Sequence, residues 1–344
     1  MKFETSLPPY AVARTSVGRV MRLVLYALVP AALVYVHFFG WGLLVNIALA
    51  VLAAIAAEAL ALRLRGVAAS DFLSDGSAIV TAVLLAFALP PLVPWWLTVS
   101  GAAFAILIAK HLYGGLGCNP FNPAMVGYVV LLVSFPVEMT TWPVPTGAEG
   151  APALTLTQTI ATSLTGVLPE PYAWDGITRA TALDTVRTGL TLGQTMTEVM
   201  AGPQFGAVGG RGAEWVAAAT LLGGLALLGL RVIRWHIPVA MLATIAALAS
   251  LMHGIDPGAY PGPTFHLLSG ATMLGAFFIA TDPVSAATSP HGRLVYGAGI
   301  GALTFVIRSF GGYPDGVAFA VLLMNLAVPV IDRWTVPRIY GHPG

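Results

Sequence analysis

The residues best suited to carry chemistry lie in one polar stretch near the middle of the chain, Asp175-Gly176-Ile177-Thr178-Arg179-Ala180-Thr181-Ala182-Leu183-Asp184. Two hydroxyls, Thr178 and Thr181, share this stretch, and Thr181 stands between Ala180 and Ala182. A threonine hydroxyl is a poor nucleophile without a base beside it, and no histidine lies nearby in sequence. The pattern suits modification better than catalysis. An external loop with small neighbours gives a separate enzyme room to esterify Thr181 with a phosphate group. On physics alone, the same stretch also fits a merely solvated loop.

Other candidates are scattered. Asn119, Asn122 and Asp315 flank helix starts broken by proline or glycine, at corresponding places in the two halves of the chain. Such breaks free backbone groups that can line a polar cavity. The three side chains would either bind a ligand or ion there or cap the helices. Asp75 and Asp282 carry the same two readings. Glu58 is the plainest ionisable residue inside an apolar run. Charge inside a membrane is costly and often functional, yet Glu58 is placed near the end of its run, within reach of Arg63 or of a partner protein. Nothing pairs any of the seven histidines as haem ligands. Cys118, the single cysteine, cannot form an internal disulfide or hold a cluster alone. No P-loop or dinucleotide fingerprint occurs, so nicotinamide chemistry belongs to another polypeptide.

The elements that must position these residues are membrane elements. Hydrophobic residues make up 57% of the 344, charged residues 9%, and the mean hydropathy is +0.82. A soluble domain carries about a quarter charged residues. This chain cannot solvate its own surface, so membrane lipid must be its solvent. A net charge of +1 argues against a nucleic-acid partner. A spanning helix takes about 20 mostly apolar residues. On that measure ten spans are predicted, near 20–38, 41–62, 76–93, 95–112, 122–137, 213–232, 237–253, 267–281, 292–310 and 316–332. The fold class is therefore an all-α polytopic membrane protein.

Basic residues orient it. With the N-terminus in the cytoplasm, 12 of the 16 lysines and arginines fall inside, and Arg179, Arg187, Arg211 and Arg308 fall outside. Both termini are then cytoplasmic and the long interval 138–212 is periplasmic. Trp95, Trp96, Trp215, Trp235 and Trp334 fall at span ends, where interfacial aromatics belong. The halves also match. Leu73-Ser74-Asp75-Gly76-Ser77 pairs with Leu268-Ser269-Gly270-Ala271-Thr272, and Tyr113-Gly114-Gly115 with Phe310-Gly311-Gly312, about 195 residues apart in each case. Five spans per half is an odd number, so the second copy is expected inverted. The predicted organisation is a cytoplasmic segment 1–19, a five-helix repeat 20–137, the external loop 138–212, a second five-helix repeat 213–332 and a cytoplasmic tail 333–344.

The Asp175–Asp184 stretch resembles the Ser/Thr-x-Ala-Thr flavin-attachment motif of a membrane family. That family comprises the D subunit of the Rnf-type ion-translocating electron transport complex and the B subunit of the sodium-pumping NADH:quinone reductase. Lys110-His111-Leu112-Tyr113-Gly114-Gly115-Leu116-Gly117, Asn119-Pro120-Phe121-Asn122-Pro123-Ala124-Met125 and Arg308-Ser309-Phe310-Gly311-Gly312-Tyr313-Pro314-Asp315-Gly316-Val317-Ala318 extend the resemblance over nearly the whole chain. It implies FMN joined through its phosphate to Thr181, with Asp175, Thr178 and Arg179 around it, installed by a separate flavin transferase. It also implies a second, non-covalent flavin, riboflavin, which Asn119, Asn122 and Asp315 would hydrogen-bond. The implied setting is the bacterial inner membrane, among membrane and soluble subunits that carry flavin and iron–sulfur groups. There the protein would relay electrons between ferredoxin- or NADH-linked partners, coupled to Na⁺ or H⁺ movement. Arg179 stands where the related reductase has glycine, and a guanidinium there suits a phosphate. Ser269-Gly270-Ala271-Thr272 repeats the motif literally, but it enters a spanning run without a preceding Asp-Gly, so Thr272 is expected to cap or pack. The rival reading from another class is an inverted-repeat transporter or channel with no redox role.

Overall fold

In hydrocarbon only a helix or a closed barrel satisfies every backbone N–H and C=O, and this chain takes the helical solution. The structure, a computed structural model, describes residues 16–67, 75–148, 150–313 and 315–335. Residues 1–15 of the expected N-terminal segment and 336–344 of the expected tail lie outside the described residues. Helix α1 spans Val17–Phe39 and α2 spans Gly42–Leu64. Ser16 caps α1 by accepting from the Arg19 N–H, and Gly40, at φ 79°, ends it. Then come α3 (Ser77–Ala88) and α4 (Trp95–Phe104), which runs on in π-helical turns over Ala105–His111. Next is α5 (Pro123–Ser134), started by Pro123 at its first turn and by the Asn122 side chain, which accepts from the Met125 N–H.

The second set of apolar helices begins after residue 212. Among the described residues, four helices, Val17–Phe39, Gly42–Leu64, His236–Ile255 and Val317–Thr335, are long and apolar enough to cross a membrane, and shorter apolar helices accompany them. The architecture is thus a mostly helical, multi-pass membrane type.

Between the two sets lies a segmented polar interval. It holds α6 (Pro136–Thr140), β1 (Trp142–Pro143), α7 (Leu156–Thr165), α8 (Trp174–Ile177), β2 (Thr178–Arg179), α9 (Ala182–Thr191) and α10 (Met196–Met200). The strands pair antiparallel, Trp142 with Arg179 and Pro143 with Thr178. This two-residue ribbon is a small departure from the all-α expectation. It exists because Thr178 and Arg179 are extended between two helices and Trp142-Pro143 lies alongside.

The second set is α11 (Ala213–Gly229), α12 (His236–Ile255), α13 (Pro263–Leu268), α14 (Thr272–Leu274, continued by π-helical turns over Gly275–Ile279), α15 (Pro290–Phe310) and α16 (Val317–Thr335). A single run predicted near 267–281 is broken. Gly270 turns the chain at φ 61°, a conformation other side chains rarely adopt. Helices α1 to α5 start at residues 17, 42, 77, 95 and 123, and α11, α12, α14, α15 and α16 start at 213, 236, 272, 290 and 317, so each start recurs 194 to 196 residues later.

Small residues let the helices approach closely, as lipid-embedded packing requires. A Cβ at Gly223 of α11 would overlap the Ala27 carbonyl of α1, and one at Gly301 of α15 would lie 2.5 Å from the Met241 carbonyl of α12. One apolar core joins both sets, with Leu28, Leu43, Leu85 and Leu97 from the first and Met241, Phe277, Tyr296 and Val321 from the second. A second small cluster of Leu183, Val186, Met196, Val199, Phe205 and Phe265 seats α9 and α10 against α13. That cluster fixes the chain immediately after Thr181. Lys110 and Arg308 are both buried, so neither is a loop charge. The orienting count falls from twelve against four to eleven against three (12 − 1 and 4 − 1).

Candidate functional site

Thr181 follows β2 and is the N-cap of α9, its Oγ1 accepting from the Asp184 N–H at 3.3 Å. Its flanking elements are tied down. Thr178 Oγ1 donates to the Trp174 carbonyl (2.7 Å), the Val144 N–H donates to the Ile177 carbonyl (2.8 Å), and Ile177 is buried. Thr181 lines a cavity of about 250 Å³ that runs inward between the two sets of helices. Its walls include Tyr35 and Phe39 of α1, Phe87 of α3, Tyr128 of α5, Trp142 of β1, and Met273 and Leu274 of α14. Tyr35 packs edge-on against Phe87, with ring centroids 5.9 Å apart. The cavity is therefore largely apolar and partly aromatic within, with polar groups gathered in a few places.

One place is the mouth. Arg179 and Arg211 line the cavity there with Thr181. Arg211 Nη1 donates to the Gly147 carbonyl at 3.0 Å. Two guanidiniums and the first-turn N–H groups of α9 are gathered there with one carboxylate, Asp184, which also lines the cavity.

The second place is the turn Ser269-Gly270-Ala271, which also lines the cavity. Asp315 pins it: Oδ2 accepts from the Ala271 N–H at 2.7 Å, and Oδ1 accepts from the Val317 N–H at 3.1 Å. Arg308, its side chain 1% exposed, donates to Asp315 Oδ1 from Nε (3.2 Å) and Nη2 (2.9 Å). The same guanidinium donates to the His266 carbonyl (2.8 Å) and the Ser269 carbonyl (3.2 Å). A buried arginine is tolerable only with such compensation. Thr272, on the same turn, is fully buried, and its Oγ1 donates to the His266 and Ser269 carbonyls. Its hydroxyl is spent on the helix break, as a packing residue's would be.

The sequence candidates therefore fall in different places. Thr181, Arg179 and Asp315 meet at the cavity. Asp175 is exposed and does not line it, and Thr178 acts one step away by holding the ribbon. Asn122 sits behind the cavity wall at Ile279. Its N–H donates to Asn325 Oδ1 (3.1 Å) and its Nδ2 to the Ile279 carbonyl (3.4 Å). Asn325 in turn donates to the Ser285 carbonyl and to Tyr296 Oη. Asn119 is buried, donates to the Phe121 carbonyl at 3.0 Å, and its Oδ1 has no partner among the described residues. Arg211, Arg308 and the Ser269 turn were not legible as site residues. Arg211 and Arg308 read as external charges, and the turn read as a decoy.

A second charged cluster lies at the opposite ends of the first set. Lys110 Nζ is 2.5 Å from Glu58 Oε1, with both side chains 2% exposed. Lys110 also donates to Ser77 Oγ (2.7 Å), which donates to Asp75 Oδ1 (2.6 Å). Arg65 Nη1 lies 3.3 Å from His111 Nδ1, and His111 Nε2 lies 3.4 Å from Glu58 Oε1. Arginine only donates, so His111 is assigned as the tautomer that accepts at Nδ1 and donates at Nε2. Glu58 thus pairs with Lys110, not with Arg63. Five residues along a helix is about 500°, so Arg63 points away from Glu58.

This is a helical membrane protein with an aromatic cavity open between two sets of helices and a hydroxyl at its mouth. The chain belongs to the NQR2, RnfD, RnfE family, which it matches over residues 4–341. It is similar over nearly its full length to proteins named as the D subunit of an ion-translocating oxidoreductase complex. That of Vibrio cholerae is 52% identical over 99% of this chain and all of its own. That of Escherichia fergusonii is 50% identical over 99% of each chain. That of Pseudomonas aeruginosa is 54% identical over 97% of this chain and 94% of its own.

Proposed function

We propose that this chain is the D subunit of an ion-translocating oxidoreductase complex and carries FMN esterified to Thr181. The observation that carries the reading is the position of Thr181: a hydroxyl on a built cap, beside two arginines at the mouth of an aromatic cavity. FMN has a flat apolar ring system, a polar pyrimidine edge and a phosphate. The cavity offers aromatic walls for the first, unpartnered hydroxyls for the second, and Thr181, Arg179 and Arg211 for the third. Esterification replaces the hydroxyl proton and leaves Oγ1 at the cap. A phosphate anion at a helix N-terminus beside two guanidiniums is favoured electrostatically. When bound, the flavin would supply reversible electron transfer; the protein sets its position and potential. Arg179 and Arg211 would hold the phosphate, the aromatic walls would exclude water, and Asp315 with Arg308 would keep the Ser269 turn in place.

In this reading a separate flavin transferase modifies Thr181 from the periplasmic side of the bacterial inner membrane. Partner subunits that carry flavin and iron–sulfur groups deliver and remove electrons, and electron flow is coupled to Na⁺ or H⁺ movement. The recurrence of helix starts every 194 to 196 residues supports ten spans in two five-helix repeats. The odd number five makes them inverted. The buried link from Asn122 to Asn325 joins the repeats across their interface and suits a shared structural or second-flavin site. The test is denaturing gel electrophoresis of the matured protein under ultraviolet light. Wild type fluoresces and Thr181→Val does not; a dark wild-type band would leave a transporter or channel without redox role.

A further inference from the structure

Buried polar groups in native proteins are almost always hydrogen-bonded, and each exception calls for a partner. Two of the exceptions here share one cavity. Tyr35 is 4% exposed and Ser269 is 2% exposed, and both line the cavity that Thr181 opens into. Tyr35 Oη and Ser269 Oγ have no hydrogen-bond partner among the described residues. They come from opposite parts of the chain, Tyr35 from α1 and Ser269 from the turn between α13 and α14.

Their positions are not accidental by-products of packing. Tyr35 is wedged between Phe39, at 5.1 Å between centroids, and Phe87, so its ring cannot swing its hydroxyl out to water. Ser269 is held by its own carbonyl, which accepts from Arg308 and Thr272. Neither of those bonds uses the serine hydroxyl. Both donors are therefore fixed, desolvated and unspent, a costly state that a polar ligand would relieve.

We propose that Tyr35 and Ser269 are the hydrogen-bond donors that hold the polar edge of a heteroaromatic ring in this cavity, one from each set of helices. The proposal rests on the flavin reading of Thr181 and adds to it the two residues that position the ring and tune it. The pyrimidine edge of a flavin presents carbonyl oxygens and ring nitrogens that accept such bonds. Reduction makes those acceptors more electron-rich, so donors held in place favour the reduced form and raise the potential. Because the donors belong to different sets of helices, a redox-dependent change in acceptor strength also biases the relative arrangement of the two sets.

The test uses the intact complex with Tyr35→Phe, Ser269→Ala and Ser269→Thr. Gel fluorescence reports whether flavin is attached at Thr181, and a redox titration with visible spectra reports its environment. Tyr35→Phe and Ser269→Ala are expected to keep the fluorescent band while shifting the flavin absorption and lowering its potential. The expected loss is up to about tenfold in the reduction equilibrium per donor, about 30 mV for a two-electron couple. Ser269→Thr, which keeps the hydroxyl on extended backbone, is expected to retain the wild-type potential. Flavin-loaded Tyr35→Phe and Ser269→Ala with wild-type potential and spectra would overturn the proposal. Failure of all three variants to assemble would also overturn it, since it assigns both residues a purely structural role. A dark wild-type band, or a fluorescent Thr181→Val band, strikes instead at the attachment reading beneath it.

Discussion

Removing one partner of the Lys110–Glu58 pair should damage this protein more than removing both. The two charges lie 2.5 Å apart with 2% exposure each. At an effective dielectric of about 20 their attraction is roughly 6–7 kcal/mol, and the cost of desolvating each ion is several kcal/mol. The pair therefore contributes little net stability, but each member makes the other tolerable. Glu58→Gln or Lys110→Met leaves one uncompensated buried charge and is expected to cost about 3–5 kcal/mol. Glu58→Gln keeps acceptors for Lys110 and His111, which places it at the lower end. The double variant Glu58→Leu/Lys110→Met is expected within about 1 kcal/mol of wild type, since a well-packed apolar replacement of a buried pair is often neutral or stabilising. Thermal unfolding of the purified complex, followed by size-exclusion recovery, measures Glu58→Leu, Lys110→Met, their double variant and wild type as a double-mutant cycle, with Glu58→Gln read beside it. Single variants as stable as wild type, or a double variant whose loss equals the sum of the singles, would refute the reasoning. Ion transport in the Glu58→Gln complex reads a separate question: full transport with normal assembly removes Glu58 from any ion path.

Asp315→Ala strands the buried Arg308 guanidinium and frees the Ala271 and Val317 N–H groups; it is expected to cost about 3–5 kcal/mol, seen as loss of thermal stability, whereas Asp315→Asn keeps acceptors and costs less. Gly223→Val, whose Cβ would overlap the Ala27 carbonyl, is expected to prevent α1 and α11 from meeting and to abolish recovery of monodisperse protein. Glu198 accepts from the Thr195 backbone N–H and hydroxyl, which hold its carboxyl below its ordinary value of 4.5. A lowered folded value means the cap is intact above about pH 4.5 and is lost as pH falls through the lower folded value. Proteolysis after residue 200 should accelerate only in strongly acidic buffer, and Glu198→Gln should flatten that dependence.

Helices were legible where lipid demands long apolar runs: four of the predicted spans correspond to helices long and apolar enough to cross a membrane among the described residues, while the run expected near 267–281 is broken. Thr181 stands out in the sequence through its motif, not through its physics, since a hydroxyl beside alanines specifies nothing by itself. The cavity was not legible, because its walls come from α1, α3, α5, β1 and α14, which only the fold assembles. The Lys110–Glu58 pair was missed because its members are 52 residues apart and the nearer cation, Arg63, lies on another face of the same helix. In the sequence Ser269 and Thr272 belong to one motif-like stretch and read alike. The structure separates them: one hydroxyl is consumed by backbone carbonyls and the other is unspent in the cavity. The break at Gly270 was hidden inside an apolar run because hydropathy does not register φ.

The most direct measurement is mass spectrometry of peptides from the complex purified from its native membrane with its flavin transferase present. The account predicts one FMN, less one water, on the peptide containing Thr181 and none on the peptide containing Thr272. An unmodified Thr181, or flavin mass on Thr272, would contradict it.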